Sequence, residues 1–262
     1  MSQFDNNAGD ASRGEVRLAR LADREFPPRV KRALEGMLQR TAYFEPALAL
    51  LFDEIEQHLF KQADRARSNE QQARMFEALR EIKRNKADVL PRFLAYLESN
   101  LTQLESGVAA KKSAPGAARG ATKLELVESS DLELSLAMQD IASKAEIRQS
   151  QALHELAHRF GVIAGAPAFE TEQLPIGPLA LASAMRYALL PFDVGINERI
   201  VVFQAFDRVV MTPIGAFYDL INQYLAEQRI LPNLQLRVRR AGHDQAPAAA
   251  TTPPTQEPAP AA

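Results

Sequence analysis

The chain contains no cysteine. This absence excludes disulfides, thiolate catalysis and cysteine-bound metals, and it is compatible with a reducing compartment. Long apolar runs are also missing, because no stretch approaches the roughly 18 to 20 residues of a membrane-spanning helix. The polar first ten residues lack the apolar core of a signal peptide. We therefore expect a cytoplasmic protein without membrane insertion.

The sequence motifs of several enzyme classes are missing as well. There is no phosphate-binding loop, no dinucleotide-binding glycine set and no serine nucleophile elbow. The formal net charge is −2, so no overall positive field attracts nucleic acid, which we expect to be an unlikely partner. Alternating strand patterns are absent except for a weak candidate at Leu234–Val238. These absences predict no cofactor and favour a non-enzymatic protein.

Apolar residues recur at three- and four-residue spacing through most of the chain, which is the period of an α-helix. The pattern predicts an all-α fold, a bundle-like array in two helical segments, 27–106 and 123–234. Residues 107–122 are rich in Gly, Ala, Ser and Lys and are predicted to form a flexible linker. We expect disorder in 1–26 and in the basic, then Ala/Pro-rich, tail 235–262.

Local signals predict helix boundaries in the first segment. Ser68 followed by Gln71 resembles a capping box and predicts a helix start. Pro91 lies inside the following apolar pattern. Because proline removes a backbone donor and clashes with the preceding turn, we expect a kink or break between Lys86 and Pro91.

The second segment is predicted to contain four helices. Asp131 is positioned to cap a long helix that reaches Ile163 and ends at Gly165. Gly177-Pro178 begins the next helix, Glu198 to Val210 forms another, and Thr212-Pro213 caps the last. Five aromatic residues at helical spacing are expected in the core: Phe203, Phe206, Phe217, Tyr218 and Tyr224.

Several sequence blocks lie between about Phe44 and Leu234, among them Leu51–Asp53, Phe76–Glu81, Asp131–Ala137, Gly177–Leu181 and Phe206–Val210. Together they resemble a bacterial family of unknown function, numbered 1631. The resemblance implies a helical bacterial cytosolic protein and brings no established chemistry. Members of the family are often longer than this chain, so the chain resembles the N-terminal portion of such a member. The family pattern keeps the helix around Pro91 unbroken, and Pro91 departs from it.

One motif suggests a specific chemistry. His154, Glu155 and His158 form the sequence H-E-x-x-H, in which two histidines on one helix face ligate zinc and the glutamate acts as general base. The third histidine of one such class would fall at Ala164, which cannot bind metal. The main interpretation is a solvated helix face with no metal and no catalytic residue, in which Glu155 and Arg159 form an ordinary ion pair. The alternative is a zinc-dependent hydrolase.

Arg237, Arg239 and Arg240 form a short basic cluster that could contact nucleic acid phosphates or an acidic partner. The simpler interpretation is a solubilising transition into the tail. The leading functional hypothesis is a non-enzymatic interaction or regulatory scaffold with an unknown protein partner. A zinc hydrolase and a nucleic-acid-binding module remain as alternatives.

Overall fold

The computed structural model describes Leu18, residues 20–104 and residues 129–234. The predicted all-α class is confirmed, since the described residues form helices and turns without a strand. The α-helices are α1 (Pro28–Arg40), α2 (Phe44–Asp64), α3 (Asn69–Thr102), α4 (Ser129–Arg148), α5 (Ser150–Ala164), α6 (Pro178–Ala188), α7 (Ile196–Phe206) and α8 (Gly215–Glu227). Short 3-10 turns cover Leu21–Asp23, Thr41–Tyr43 and Thr171–Gln173, and a π-helical turn covers Asp207–Met211.

The start of α3 follows the predicted capping signal. The Ser68 side chain accepts a hydrogen bond from the backbone N–H of Gln71 at 3.2 Å. This bond satisfies one of the free donors at the helix N-terminus. The predicted helix start is therefore confirmed.

Of the kink or break predicted between Lys86 and Pro91, the break is wrong, because α3 continues through Pro91 to Thr102, and the kink stays a prediction. Pro91 and Ala87, whose carbonyl loses its usual donor, both lie on the exposed side of the helix. Water can therefore hydrate that carbonyl. The opposite side carries the fully buried Val89 and Phe93, and their packing outweighs a helix-interior proline cost of about 3 kcal/mol.

The last residues of the segment predicted to be disordered, 1–26, contact the helices. Leu21 and Phe26 are buried, and the backbone N–H of Leu21 donates to the Glu98 carboxylate of α3 at 2.8 Å. Residues 20–26 therefore pack on the helical body, whereas 1–17 and residue 19 lie outside the described residues.

The long helix predicted from Asp131 to Ile163 is two helices. It divides at Gln149, so that α4 packs on α6 and α7 while α5 packs on α8. The division lets the two halves bury their apolar faces against different neighbours. The end of α5 agrees with the prediction, since Gly165 adopts the left-handed conformation (φ 65°) that glycine tolerates at a helix end.

The helix predicted for Glu198 to Val210 also changes character within its length. It is α-helical in α7 and then π-helical, where the Thr212 N–H donates to the Asp207 carbonyl at 2.7 Å. Two residues of this turn form ion pairs with other helices, Asp207 with Arg148 and Arg208 with Glu54. Accordingly α8 begins at Gly215, after the predicted cap.

Both helical segments contribute to one hydrophobic core. The Phe44 ring of α2 lies 5.1 Å from the Phe93 ring of α3 and 4.7 Å from the Phe217 ring of α8. The five aromatic residues predicted for the core are all buried. Burial of aromatic rings from both segments explains why the segments pack together.

Among the described helices, none alone combines the length and the apolarity of a membrane span. The segments Ile196–Met211 and Gly215–Glu227, bent by 49° relative to each other, combine them only as a pair.

Candidate functional site

The two histidines of the H-E-x-x-H motif lie together on the outer side of α5. His154 is exposed and His158 is partly buried. Their Nε2 atoms are 3.2 Å apart, and their rings meet edge to face with centroids 4.5 Å apart. Within the described ranges, no group of three or more His, Cys, Asp or Glu side chains is arranged to hold a metal ion. The pair therefore offers two ligands, not three.

The motif glutamate is bound by Arg159. The Glu155 carboxylate accepts a hydrogen bond from Nη1 of Arg159 at 3.0 Å, and Arg159 is only 3% exposed. The predicted i,i+4 ion pair is therefore present, but it is not solvated, because α8 and the turn after it cover the guanidinium. Using Glu155 as a general base would leave a buried cation without its counter-charge, which is strongly unfavourable.

Arg159 joins α5 to the C-terminal end of the described body. Its guanidinium also donates to the Asn222 side-chain oxygen and, at 3.4 Å, to the Leu231 carbonyl. Asn222 in turn donates to the Ala152 carbonyl at 2.9 Å. The available sequence signal for this network was Asn222 itself, a polar residue within the apolar stripe of α8.

The turn after α8 is shaped by the same network. Arg229 (φ 59°) and Leu231 (φ 47°) both adopt left-handed conformations that are unfavourable for residues with a side chain. The Arg229 carbonyl accepts a hydrogen bond from Arg29 of α1 at 3.0 Å, and Arg159 holds the Leu231 carbonyl. Two arginines from distant helices thus stabilise this turn.

Several sequence-predicted features lie outside the described residues. They are the basic cluster Arg237, Arg239 and Arg240, the linker 107–122 and the tail 235–262. The weak strand candidate is described only at Leu234, which is not part of a strand.

An open cleft of about 830 Å³ lies between the α2–α3 turn and the start of α7. Arg65 and Arg67 line one side, and Asp193 and Glu198 line the other. Because both signs of charge face the cleft, its electrostatics do not select an anionic or a cationic ligand.

The hydroxyl of Tyr218 on α8 is another buried polar group. The residue is fully buried, and its hydroxyl has no hydrogen-bond partner among the described residues. Burial, and secondarily the nearby Glu146 carboxylate, raises the pKa of Tyr218 well above its ordinary value. Burial and the like charge of Glu172 raise the pKa of Glu146. The tyrosine therefore stays neutral, and its hydroxyl is aligned with no proton acceptor.

Helix α4 carries large apolar side chains on its outer face as well as on the inner face that packs on the body. On the outer face, Leu132, Leu136 and Ile147 are 54%, 56% and 79% exposed. At 100° per residue these three fall within about 60° of the helix surface. The exposed polar residues Gln139 and Ser143 lie between Leu136 and Ile147 along the helix and widen the stripe to about 80°. We call these five residues the α4 outer stripe.

The comparisons with known proteins bear on this helical body as a whole. The family model described as "Protein of unknown function (DUF1631) N-terminal domain" matches residues 29–229. The chain belongs to this family. The resemblance inferred from the sequence blocks is thereby confirmed, and the match spans α1 to α8. No curated protein and no solved structure matches the chain.

Proposed function

We propose that this chain is a non-enzymatic interaction scaffold that binds a helix of a partner protein along the α4 outer stripe. The observation that carries this proposal is the exposure of Leu132, Leu136 and Ile147 on one helix face. Exposed apolar patches are typical of interaction sites, whereas single exposed apolar residues need no explanation.

The dimensions of the stripe favour a helix as the bound element. The stripe from Leu132 to Ile147 spans about 22 Å at 1.5 Å per residue, or about four helical turns. It is one side chain wide and is flanked by exposed Glu133, Asp140 and Lys144. Its large apolar side chains lie towards the two ends, and the small Ser143 between them lets a partner side chain approach α4 closely. An amphipathic helix with anchors at i, i+4, i+7 and i+11 fits such a face.

The charges beside the stripe indicate which partner helix it fits. Glu133, Asp140 and Lys144 are exposed along one flank of the stripe, where Lys144 forms an ion pair with Asp140. A basic residue beside the anchors of the partner helix would complement Glu133. Complementary charges at the rim of an interface set orientation and association rate more than affinity.

The small area of the stripe favours a separate partner over a second copy of the chain. The three large side chains together expose on the order of 350 Å², which is typical of the largest apolar patch on a monomer. Obligate homodimers bury more than about 2,000 Å². Two copies of this stripe would supply only about a third of that area, which suits a transient contact.

The scaffold part of the proposal rests on how α4 is held. Leu134, Met138 and Ala145 are buried against the body, and Arg148 donates to the Met211 carbonyl at 3.4 Å. The outer stripe is therefore presented on a fixed helix. A pre-organised surface loses less conformational entropy on binding than a mobile one.

Photo-crosslinking in the native cell tests the proposal. A photoreactive residue replaces Leu136 in the full chain, or replaces Leu50 of α2 as a control. The two leucines are matched, with exposures of 56% and 60%. We expect a partner protein to crosslink from position 136 and not from position 50.

The captured partner is then purified and titrated against Leu136→Glu and Leu50→Glu chains. We expect Leu136→Glu to raise Kd at least tenfold and Leu50→Glu to change it less than twofold. Both variants should keep the wild-type circular dichroism spectrum, since both positions are exposed. Equal binding by the two variants, or crosslinks only to a second copy of the chain, would contradict the proposal.

A further inference from the structure

We infer that His154 and His158 form a two-ligand binding site for a divalent first-row transition-metal ion, and that this site lacks a general base. The inference is independent of the α4 outer stripe and goes beyond the scaffold proposal. It rests on the geometry of the two imidazoles and on the hydrogen bonds of Glu155.

The spacing of the ring nitrogens fits a shared metal ion. Zinc–nitrogen bonds are about 2.0–2.1 Å long. Two nitrogens bound to the same ion are about 2.9 Å apart when the N–Zn–N angle is a right angle. They are about 3.3 Å apart when that angle is tetrahedral. The observed Nε2–Nε2 separation of 3.2 Å lies between these values. A bound ion would replace the hydrogen bond between the two nitrogens, and their separation would change little.

The helix holds this spacing in place. The two residues are one turn apart on α5, and the opposite face of that helix buries Leu156 and Phe160. Since the backbone between the histidines is fixed by this packing, binding costs mainly the rotamer freedom of two side chains. His154 is exposed, so an ion can reach the pair directly from solvent.

The chemistry of the ligands defines the class of ion. Neutral imidazole suits Cu²⁺, Ni²⁺ and Zn²⁺, whereas Mg²⁺ and Ca²⁺ prefer oxygen ligands. The usual order of divalent affinities places Cu²⁺ first. With only two protein ligands, the other coordination positions are left to water or to a group from another molecule.

Glu155 distinguishes this site from a hydrolytic zinc centre. Its carboxylate accepts from Arg159 at 3.0 Å, and the guanidinium is buried. Because Glu155 balances that buried charge, it is unavailable as a metal ligand or as a base for a bound water. The site binds the ion without activating water through the motif glutamate.

Calorimetric titration of the full chain with Cu²⁺ tests the inference, with Zn²⁺ and Mg²⁺ titrated for comparison. We expect one Cu²⁺ site, weaker binding of Zn²⁺ at the same site and no binding of Mg²⁺. His154→Ala and His158→Ala should each weaken Cu²⁺ binding at least tenfold. The matched control is His58→Ala, because His58 faces Gln62 across 2.8 Å instead of a second histidine. It should change the affinity less than twofold.

Electron paramagnetic resonance of the Cu²⁺-loaded chain adds a structural readout. We expect hyperfine coupling to two imidazole nitrogens, reduced to one in either single variant. Circular dichroism confirms that the variants are folded, and alanine at these helical positions is compatible with α5. Unchanged Cu²⁺ affinity in either His154→Ala or His158→Ala would overturn the inference, as would an unchanged nitrogen coupling.

Discussion

Replacing Tyr218 by phenylalanine is expected to stabilise the protein. The tyrosine is fully buried, and its hydroxyl has no hydrogen-bond partner. Leaving such a group unsatisfied costs about 1–3 kcal/mol, because the hydroxyl loses its water and gains nothing in return. Phenylalanine keeps the ring and its packing against Phe217. We expect the free energy of unfolding to rise by about 1 kcal/mol, and Tm to rise by about 2–4 °C.

Tyr224 on the same helix provides the matched control. Its hydroxyl donates to the Arg32 carbonyl at 2.9 Å, and its ring lies 3.7 Å from the Arg40 guanidinium. Tyr224→Phe removes the hydrogen bond and leaves the carbonyl without its donor. We therefore expect a loss of about 1 kcal/mol. Urea unfolding monitored by circular dichroism measures both variants.

The pH dependence supplies a second test of the same reasoning. The ordinary pKa of tyrosine is 10.0, and burial raises the pKa of Tyr218 well above it in the folded state. The stability associated with this group is present below pH 10 and is lost as pH rises, because the unfolded chain ionises first. The advantage of Tyr218→Phe should therefore widen above pH 10 by up to about 1.4 kcal/mol per pH unit.

One pattern of results would refute the argument. If Tyr218→Phe lost 1 kcal/mol or more at pH 7, the hydroxyl would have to make a favourable hydrogen bond in the folded protein. A constant difference between wild type and variant from pH 8 to pH 11 would contradict the raised pKa. Because Tyr224→Phe removes the same chemical group from the same helix, a general effect of losing a tyrosine hydroxyl would appear in both variants.

Arg159→Ala is expected to destabilise the fold by about 3 kcal/mol, since it breaks the buried network and leaves Glu155 without its counter-charge. The exposed i,i+4 ion pair of Arg74 with Glu70 provides the comparison, and Arg74→Ala should cost less than about 1 kcal/mol by chemical unfolding. Burial acts to raise the pKa of Glu56, but its ion pairs, led by Lys86, outweigh burial and lower that pKa. A lowered pKa stabilises the fold above the unfolded value near 4.5, and this stability is lost as pH falls. Glu56→Gln should therefore lose up to about 1 kcal/mol at pH 7 and little near pH 3, as measured by thermal unfolding at both pH values.

The divided helix and the proline show where local sequence signals stop being decisive. Pro91 has a strong local preference against a helix interior, yet α3 continues because Val89 and Phe93 are buried on the other side. In contrast, nothing in the local sequence around Gln149 ends a helix. The division there depends on α4 and α5 packing against different helices, and those helices are distant in sequence.

For the candidate sites, too, the sequence indicated one part and the tertiary structure decided the other. The histidine motif was visible in the sequence, but the burial of Arg159 depends on Asn222 and Leu231, more than 60 residues away. The α4 outer stripe could have been found from the second set of apolar residues on that helix, which includes Leu136 and Ile147. Its exposure depends on which face the body covers, which helical periodicity alone does not indicate.

The sequence by itself determined the all-α class, the family, the cap at Ser68 and the helix end at Gly165. The cap and the helix end depend on backbone preferences and hydrogen bonds within a few residues. Only the tertiary structure decided that α3 passes through Pro91, that Arg159 is buried and that the α4 outer stripe faces outward. Burial depends on side chains brought together from distant parts of the chain, and helical periodicity cannot tell which apolar face the core will cover.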